Sequence, residues 1–289
     1  MRIGIGSAQF GLDYGISNNT GQVSKKEVEQ ILNYARRIGM DLIDTSPYYG
    51  EAQRMIGGLR ASNAFKIVSK TVAIEAPVIT ADNASVVRKD LLLSLKTLKK
   101  NNIYGLIVHR VTDIRKKGAQ HLFNTLQAIK DDGLVEKIGV SIYTEEDAEI
   151  AMSLADLDIL QAPISLFDQT LIRSGALRKF QSKNIEVHAR SIFLQGALFL
   201  DPQNLPSPLS GLKSKIEKLR AISSAEGVPL HCLGINFLRS IIHVDYCIVG
   251  INTLNHLEQL ECCKHALLPD MADFHLEAET LRNPSLWGV

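Results

Sequence analysis

Apolar residues recur along this chain in two alternating rhythms. Short continuous runs such as Ile3-Gly-Ile-Gly6, Leu42-Ile-Asp44 and Tyr104-Gly-Leu-Ile-Val108 have the length and bounding of strands. Between them lie longer stretches with one apolar face per helical turn. Ser24-Lys-Lys-Glu27 has the spacing of a capping box, in which the two side chains cap a helix start reciprocally. Val28, Ile31, Leu32 and Ala35 form the stripe that follows, and Gly39 ends it. The pattern predicts further strands over 65–69, 135–140, 157–161, 185–190 and 245–249. Helices are predicted over 51–59, from Ser85 to Lys100, over 118–131, after a second capping signature at Thr144-Glu-Glu-Asp147, and over 174–183, 211–226, 230–241 and Thr253 to His265.

Eight strands, each followed by a helix with no polar linker between halves, predict a single (β/α)8 TIM barrel spanning residues 1–289. The chain's 289 residues give about 36 per unit, which fits that fold. The competing doubly wound sheet calls for G-x-G-x-x-G after the first strand, and Gly4-Ile-Gly6-Ser-Ala-Gln9 lacks the third glycine. One loop is long, Asp201 to Gly211, directly after the seventh strand. At that end of a barrel such a loop is either a lid or a plain surface excursion.

Composition narrows the function. Lys plus Arg (32) nearly balance Asp plus Glu (31), so no global field draws the protein to nucleic acid. Cys232, Cys247, Cys262 and Cys263 show no CxxC spacing and are expected to be reduced packing residues. Five of the eight histidines (His231, His243, His256, His265, His275) follow residue 230 without metal-binding spacing, so no metal site is expected. The start Met-Arg-Ile-Gly-Ile-Gly lacks the apolar core of a signal peptide. No apolar run approaches the roughly 18 residues of a membrane span. A cytoplasmic protein follows as the expectation.

The candidate chemistry lies where strands end. Leu42-Ile-Asp-Thr-Ser-Pro-Tyr-Tyr-Gly50 carries a carboxylate at the end of the second strand and Tyr49 in the loop beyond it. Phe65-Lys-Ile-Val-Ser-Lys70 and Tyr104-Gly-Leu-Ile-Val-His109 end in an amine and an imidazole. Barrel enzymes place reactive groups at the carboxyl ends of strands, and neighbouring strands are only about 4.8 Å apart. A free tyrosine, with a pKa of about 10, is a weak proton donor at neutral pH, but an adjacent ammonium stabilises the phenolate. Lys70 held by Asp44 supplies that ammonium, and His109 can orient a carbonyl. The set suits protonation of an alkoxide as hydride reaches carbon, the hydride coming from a nicotinamide.

The pattern Asp44-x4-Tyr49-Gly50 with Glu51 and Gly57, then Ser69-Lys70, then Val108-His109, resembles the aldo-keto reductases. The resemblance runs from Gly4 to about Leu260, and Gly6-Ser-Ala-Gln-Phe-Gly-Leu-Asp-Tyr-Gly15 looks like the bacterial branch. It implies reduction of aldehydes or ketones by NADP(H), with NAD(H) possible, or the reverse oxidation of alcohols. Asp44, Tyr49, Lys70 and His109 then fall on the catalytic tetrad, with Tyr49 the general acid. Gly6, Ser7 and Asp44 fall on the cofactor groove, and Ser141 and Gln161 on the residues that grip the carboxamide. Arg190, Ser191 and Phe193, with Gln195, fall on the stretch flanking the nicotinamide and pyrophosphate.

The chain departs from the family pattern in three places. Ile142 stands where the family usually has Asn, and Arg190 stands where an aromatic often stacks. Gly250-Ile-Asn252-Thr-Leu-Asn-His256 resembles the segment that holds the 2′-phosphate but lacks its Lys or Arg, which weakens NADP and leaves NAD open. Beside the tetrad, Ala8, Tyr48, His109 and Arg110 are the candidate substrate contacts. Arg110 hints at an anionic or hydroxyl-rich, sugar-like substrate, unless it is ion-paired with Asp113. Trp287 either covers the pocket or packs the tail. The expected partner is a small carbonyl compound, with neither nucleic acid nor membrane, on a monomer or weak oligomer. The rival readings are a cofactor-binding regulatory barrel with little turnover, and a lyase or aldolase using Lys70 as a Schiff base.

Overall fold

A computed structural model describes residues 1–263 and 265–287. Eight parallel strands close into a barrel in sequence order: β1 (Arg2–Gly6), β2 (Leu42–Asp44), β3 (Lys66–Lys70), β4 (Ile103–Val108), β5 (Val135–Ser141), β6 (Ile159–Pro163), β7 (Glu186–Arg190) and β8 (Tyr246–Gly250). The barrel is the (β/α)8 fold expected from the alternation. After β1 come α1 (Ala8–Gly11) and α2 (Lys25–Arg37), then α3 (Ala52–Gly57), α4 (Ala81–Leu98), α5 (Ala119–Asp131) and α6 (Glu145–Leu154) follow successive strands. Further round lie α7 (Thr170–Arg173), α8 (Ala176–Ser182), α9 (Lys213–Glu226), α10 (Leu230–Ser240), α11 (Leu254–Glu261) and α12 (Glu279–Arg282). Among the described residues no helix is long and apolar enough to cross a membrane.

Both faces of the sheet are covered, so strand residues are buried on either side. Leu42, Val68, Tyr104, Ile107, Ile159, Tyr246 and Ile248 fill the barrel. Ile5, Ile43, Ile67, Leu106, Ile138, Leu160 and Val187 belong to the larger core between the sheet and its helices.

Helix starts show where local signals were complete and where they were not. α4 begins before the expected Ser85 because Thr80 and Asn83 cap its N-terminus reciprocally. α6 has the same reciprocal box between Thr144 and Asp147. α2 has only half of the box its sequence suggests: the Ser24 hydroxyl accepts from Glu27 N at 3.2 Å. The Glu27 carboxylate turns away instead and accepts from the backbone N–H of Leu254, at 2.6 Å, on α11. The orphaned amides at a helix start attract a carboxylate as strongly as its own helix does.

α11 ends at Glu261, earlier than predicted, and the rest of that prediction crosses Lys264, which lies outside the described residues. The expectation of four reduced cysteines is corrected: Cys232 on α10 and Cys263 just past α11 form a disulfide, their Cα atoms 5.2 Å apart. Cys247 and Cys262 are free thiols. The pairing was illegible in sequence because the two cysteines, 31 residues apart, meet only once α10, β8 and α11 pack together.

The amino-terminal end of the barrel is sealed by charge rather than by grease. The Glu186 carboxylate accepts from Tyr104 Oη at 2.7 Å, pairs with Lys137, and meets His188 Nε2 at 2.8 Å. Tyr246 Oη donates to Asp41 at 3.1 Å, while the Arg2 guanidinium lies 4.1 Å from the Tyr246 ring centroid and pairs with Asp41 at 2.9 Å. Burial alone would raise the Glu186 pKa, but the donors His188, Lys137 and Tyr104 outweigh it and hold the carboxyl at about 2. A carboxyl depressed in the fold stabilises it fully above its ordinary pKa of about 4.5 and loses that contribution as pH falls toward 2. Glu186→Gln is therefore expected to unfold more readily than wild type in urea at pH 7, with the gap narrowing between pH 4.5 and 2. An equal gap at every pH would refute this.

Candidate active site

Side chains alternate across a strand, so each strand sends its last inward residue to the mouth of the barrel. Those residues, one from each strand end, are Gly6, Asp44, Lys70, His109, Ser141, Gln161, Arg190 and Gly250, and all eight line one cavity of about 830 Å³. The register supports their level arrangement: Gly6 pairs with both Asp44 and Gly250, and Ser141 with Gln161.

At its floor Lys70 Nζ donates to Asp44 Oδ1 at 2.5 Å and to the Thr45 carbonyl at 3.1 Å. Gln161 Nε2 donates to the other Asp44 oxygen at 2.8 Å. Asp44 is 4% and Lys70 2% exposed, so neither charge is solvated. Burial opposes a charged Lys70, yet the Asp44 carboxylate and the Tyr49 phenol outweigh it and leave its pKa above the ordinary value. The ammonium lies 4.9 Å from the centroid of the Tyr49 ring. His109 meets that ring edge-on, with centroids 6.2 Å apart, and its Nδ1 is 3.5 Å from Ser46 Oγ. Burial, followed by the Lys70 ammonium, drives the His109 pKa down to about 4. The imidazole is therefore neutral at physiological pH and carries one N–H to donate.

Tyr49 owes its position to Gly11. A Cβ on Gly11 would stand 1.8 Å from the Tyr49 carbonyl oxygen and 2.4 Å from Ala52 N, so only glycine lets α1 approach this turn.

The other predicted residues divide. Ser7, Ala8, Ser191, Phe193, Gln195, Asn252 and His256 line the cavity with the strand-end ring. Tyr48 and Arg110 do not. Tyr48 is 51% exposed and its hydroxyl accepts from Ala73 N at 2.8 Å. Arg110 reaches Asp113 at 3.3 Å, Glu75 at 3.1 Å and the Ile74 carbonyl at 2.8 Å. One position past His109, it faces away from the mouth, and the buried Asp113 carboxylate captures it. With it goes the argument for an anionic substrate. Ile142 is fully buried and Trp287 is 5% exposed; both pack in the core beside the cavity rather than lining it.

Sequence reading passed over Tyr14 and Tyr143. Burial, then the neighbouring Tyr49 phenol, pushes the Tyr14 pKa up to about 12, so it remains a donor on the cavity wall. Its signal was present in the Gly6–Gly15 stretch as a tyrosine directly before Gly15, a glycine with φ +105°. Tyr143 receives the Arg190 guanidinium, 4.6 Å from its ring centroid. After β7, Ser191, Leu194 and Gln195 all adopt positive φ, a concentration of backbone strain typical of functional loops. The Gln195 carbonyl accepts from Ile16 N at 2.9 Å, which ties this loop to the one after β1 across the cavity. The 201–211 segment forms two 3₁₀ turns, with Asp201 on the cavity rim and Leu209 buried. The His231, Cys232 and Cys263 ligand atoms lie within 4.8 Å of one another, with both sulfurs engaged in the disulfide.

Residues 2–272 match the model of the aldo/keto reductase family, and the chain belongs to that family. Its members are oxidoreductases that use nicotinamide dinucleotides. No curated protein sequence matches the chain. Among solved structures it is similar to a glycerol dehydrogenase from Gluconobacter oxydans, with TM-score 0.73, 18% identity, and 98% of this chain and 92% of that one covered. It is similar to an aldo-keto reductase from Bacillus halodurans in its holo form, with TM-score 0.71, 14% identity and coverage of 98% and 91%. An aldo/keto reductase from Klebsiella pneumoniae, solved with NADP and acetate, aligns with TM-score 0.65 at 18% identity over 92% and 87%. At these identities the likeness is one of fold.

Two outcomes follow from the geometry. Gly11→Ala is expected to lose about 1–3 kcal/mol of stability through overpacking, read from denaturant midpoints; an unchanged midpoint would sink the account of Tyr49's placement. The His109 ring should titrate near pH 4 by NMR. Because its folded pKa lies below the unfolded one, it should remove stability as pH falls from about 6.5 toward 4. Titration near pH 6.5 would contradict the buried, Lys70-facing placement.

Proposed function

We propose that the protein reduces an aldehyde or ketone to an alcohol with a nicotinamide dinucleotide, Tyr49 acting as the general acid. The observation that carries this reading is the buried Asp44–Lys70 pair set directly beneath the Tyr49 ring. The residues present suit such a cofactor. Gln161 Oε1 and Ser7 Oγ are buried at the cavity wall without hydrogen-bond partners, an acceptor and a hydroxyl available to a bound amide or phosphate edge. When bound, the reduced nicotinamide supplies the hydride.

The chain's own groups handle the proton. Neutral His109 donates a hydrogen bond to the carbonyl oxygen and fixes it against Tyr49. As negative charge builds on that oxygen, Tyr49 transfers its phenolic proton there, and the Lys70 ammonium stabilises the phenolate left behind. Asp44 keeps Lys70 charged and in place, and Gln161 in turn fixes Asp44. A raised Lys70 pKa also argues against a Schiff-base lyase, which needs a neutral amine.

Tyr49→Phe removes only the proton donor. Reduction of a generic aldehyde such as 4-nitrobenzaldehyde is expected to fall by about 10²–10⁴-fold. Dinucleotide binding, followed by fluorescence quenching, should stay within about threefold of wild type, since only a 1.4 kcal/mol change makes a tenfold difference. Retained turnover in the variant would overturn the assignment of Tyr49.

A further inference from the structure

We propose that the cavity selects NADH over NADPH and that Glu27 imposes the choice. The inference rests on the dinucleotide reading above and adds the identity of the cofactor. If the nicotinamide end meets Tyr49, the elongated ligand must run to the opposite end of the cavity. There the wall comes from the turn after β8 and from α11: Asn252, Thr253, His256 and Gln259, with His231 from α10. Loops after the last two strands of such barrels are where phosphate groups are held.

That end is built against a second phosphate. The first amides of α11 would ordinarily offer an anion site, but two of them, at Leu254 and His256, are already engaged. Glu27 Oε1 accepts from Leu254 N at 2.6 Å, and Thr253 Oγ1 accepts from His256 N at 3.2 Å. Leu254 lies between Thr253 and His256, which both line the cavity, so the carboxylate it binds sits directly behind that wall. A 2′-phosphate brings a charge of about −1.5 to −2 at pH 7 and would meet that carboxylate. The 2′-hydroxyl of NADH carries no charge and meets no such repulsion.

Nothing cationic offsets Glu27 here among the described residues. The lysine and arginine on the described cavity wall are Lys70 and Arg190, one bound to Asp44 and the other stacked on Tyr143. Burial lowers the pKa of both His231 and His256, and for His256 the neighbouring His231 adds to the effect, so both rings are neutral at pH 7.

The test is a parallel titration of the full chain with NADH and NADPH, read by fluorescence quenching at pH 7. Wild type should bind NADH at least about tenfold more tightly, a gap of about 1.4 kcal/mol. Glu27→Gln keeps an acceptor for Leu254 N but removes the charge, and should tighten NADPH while leaving NADH within about twofold. Asn252→Arg leaves the Glu27 contact intact and should also tighten NADPH, which keeps the test open if Glu27→Gln folds poorly. Equal or tighter NADPH binding by wild type overturns the selectivity. An unchanged ratio in Glu27→Gln overturns the role of Glu27. Binding of neither dinucleotide overturns the cofactor reading as a whole.

Discussion

The buried Asp44–Lys70 pair is the constraint around which the mouth of the barrel is arranged. Taking two charges out of water costs several kcal/mol each, and their attraction offsets this only when the remaining donors and acceptors are satisfied. Here they are: Thr45 accepts a second Lys70 proton, and Gln161 donates to the free Asp44 oxygen from the far side of the barrel. Three strands are thereby locked to one ion pair, β2 and β3 through the charges and β6 through the amide. The same need for compensation fixes what can lie above. Lys70 points at the Tyr49 ring, and its field, with burial, keeps His109 neutral.

Charge is also concentrated at the other end of the barrel, where Glu186, Lys137, Arg2 and Asp41 close the floor around two tyrosines. The two polar layers differ in how they are satisfied. In the floor network the Glu186 and Asp41 carboxylates are met by protein donors, although His188 Nδ1 is left without a partner, and the network serves stability. The mouth keeps unpartnered atoms, Gln161 Oε1 and Ser7 Oγ, beside strained backbone at Ser191 to Gln195. Unsatisfied polar atoms and left-handed residues both cost free energy, and several of each sit at the mouth of the barrel, where a ligand can compensate.

Much of this was legible along the chain because barrel mouths follow from the two-residue alternation of strands. Asp44, Lys70, His109, Ser141, Gln161 and Arg190 stand at strand ends in sequence, and closure turns strand ends into one ring. The misreadings came where a side chain's partner lies far off in sequence. Arg110 had two readings, a pocket residue beside His109 or a partner of Asp113; the second holds, and Glu75, 35 residues back, joins Asp113 in keeping it outside. Glu27 looked like half of a local capping box, and the start of α11, 227 residues on, took its carboxylate. Tyr14 and Tyr143 went unnoticed because their loops carry no periodic signal.

The sequence by itself determined the eight-fold alternation, the caps at Ser24 and Thr144 and the residues at the barrel mouth, since propensity and periodicity act over a few residues. Tertiary structure alone decided which unlike elements touch. Barrel closure brought α2 against α11, and the packing of successive units brought Cys232 to Cys263 and Gly11 to Tyr49. Those contacts depend on how loops of different lengths fold back over the strand ends. No local pattern encodes that, because the energy that fixes it is shared among residues that meet only when separate elements pack together.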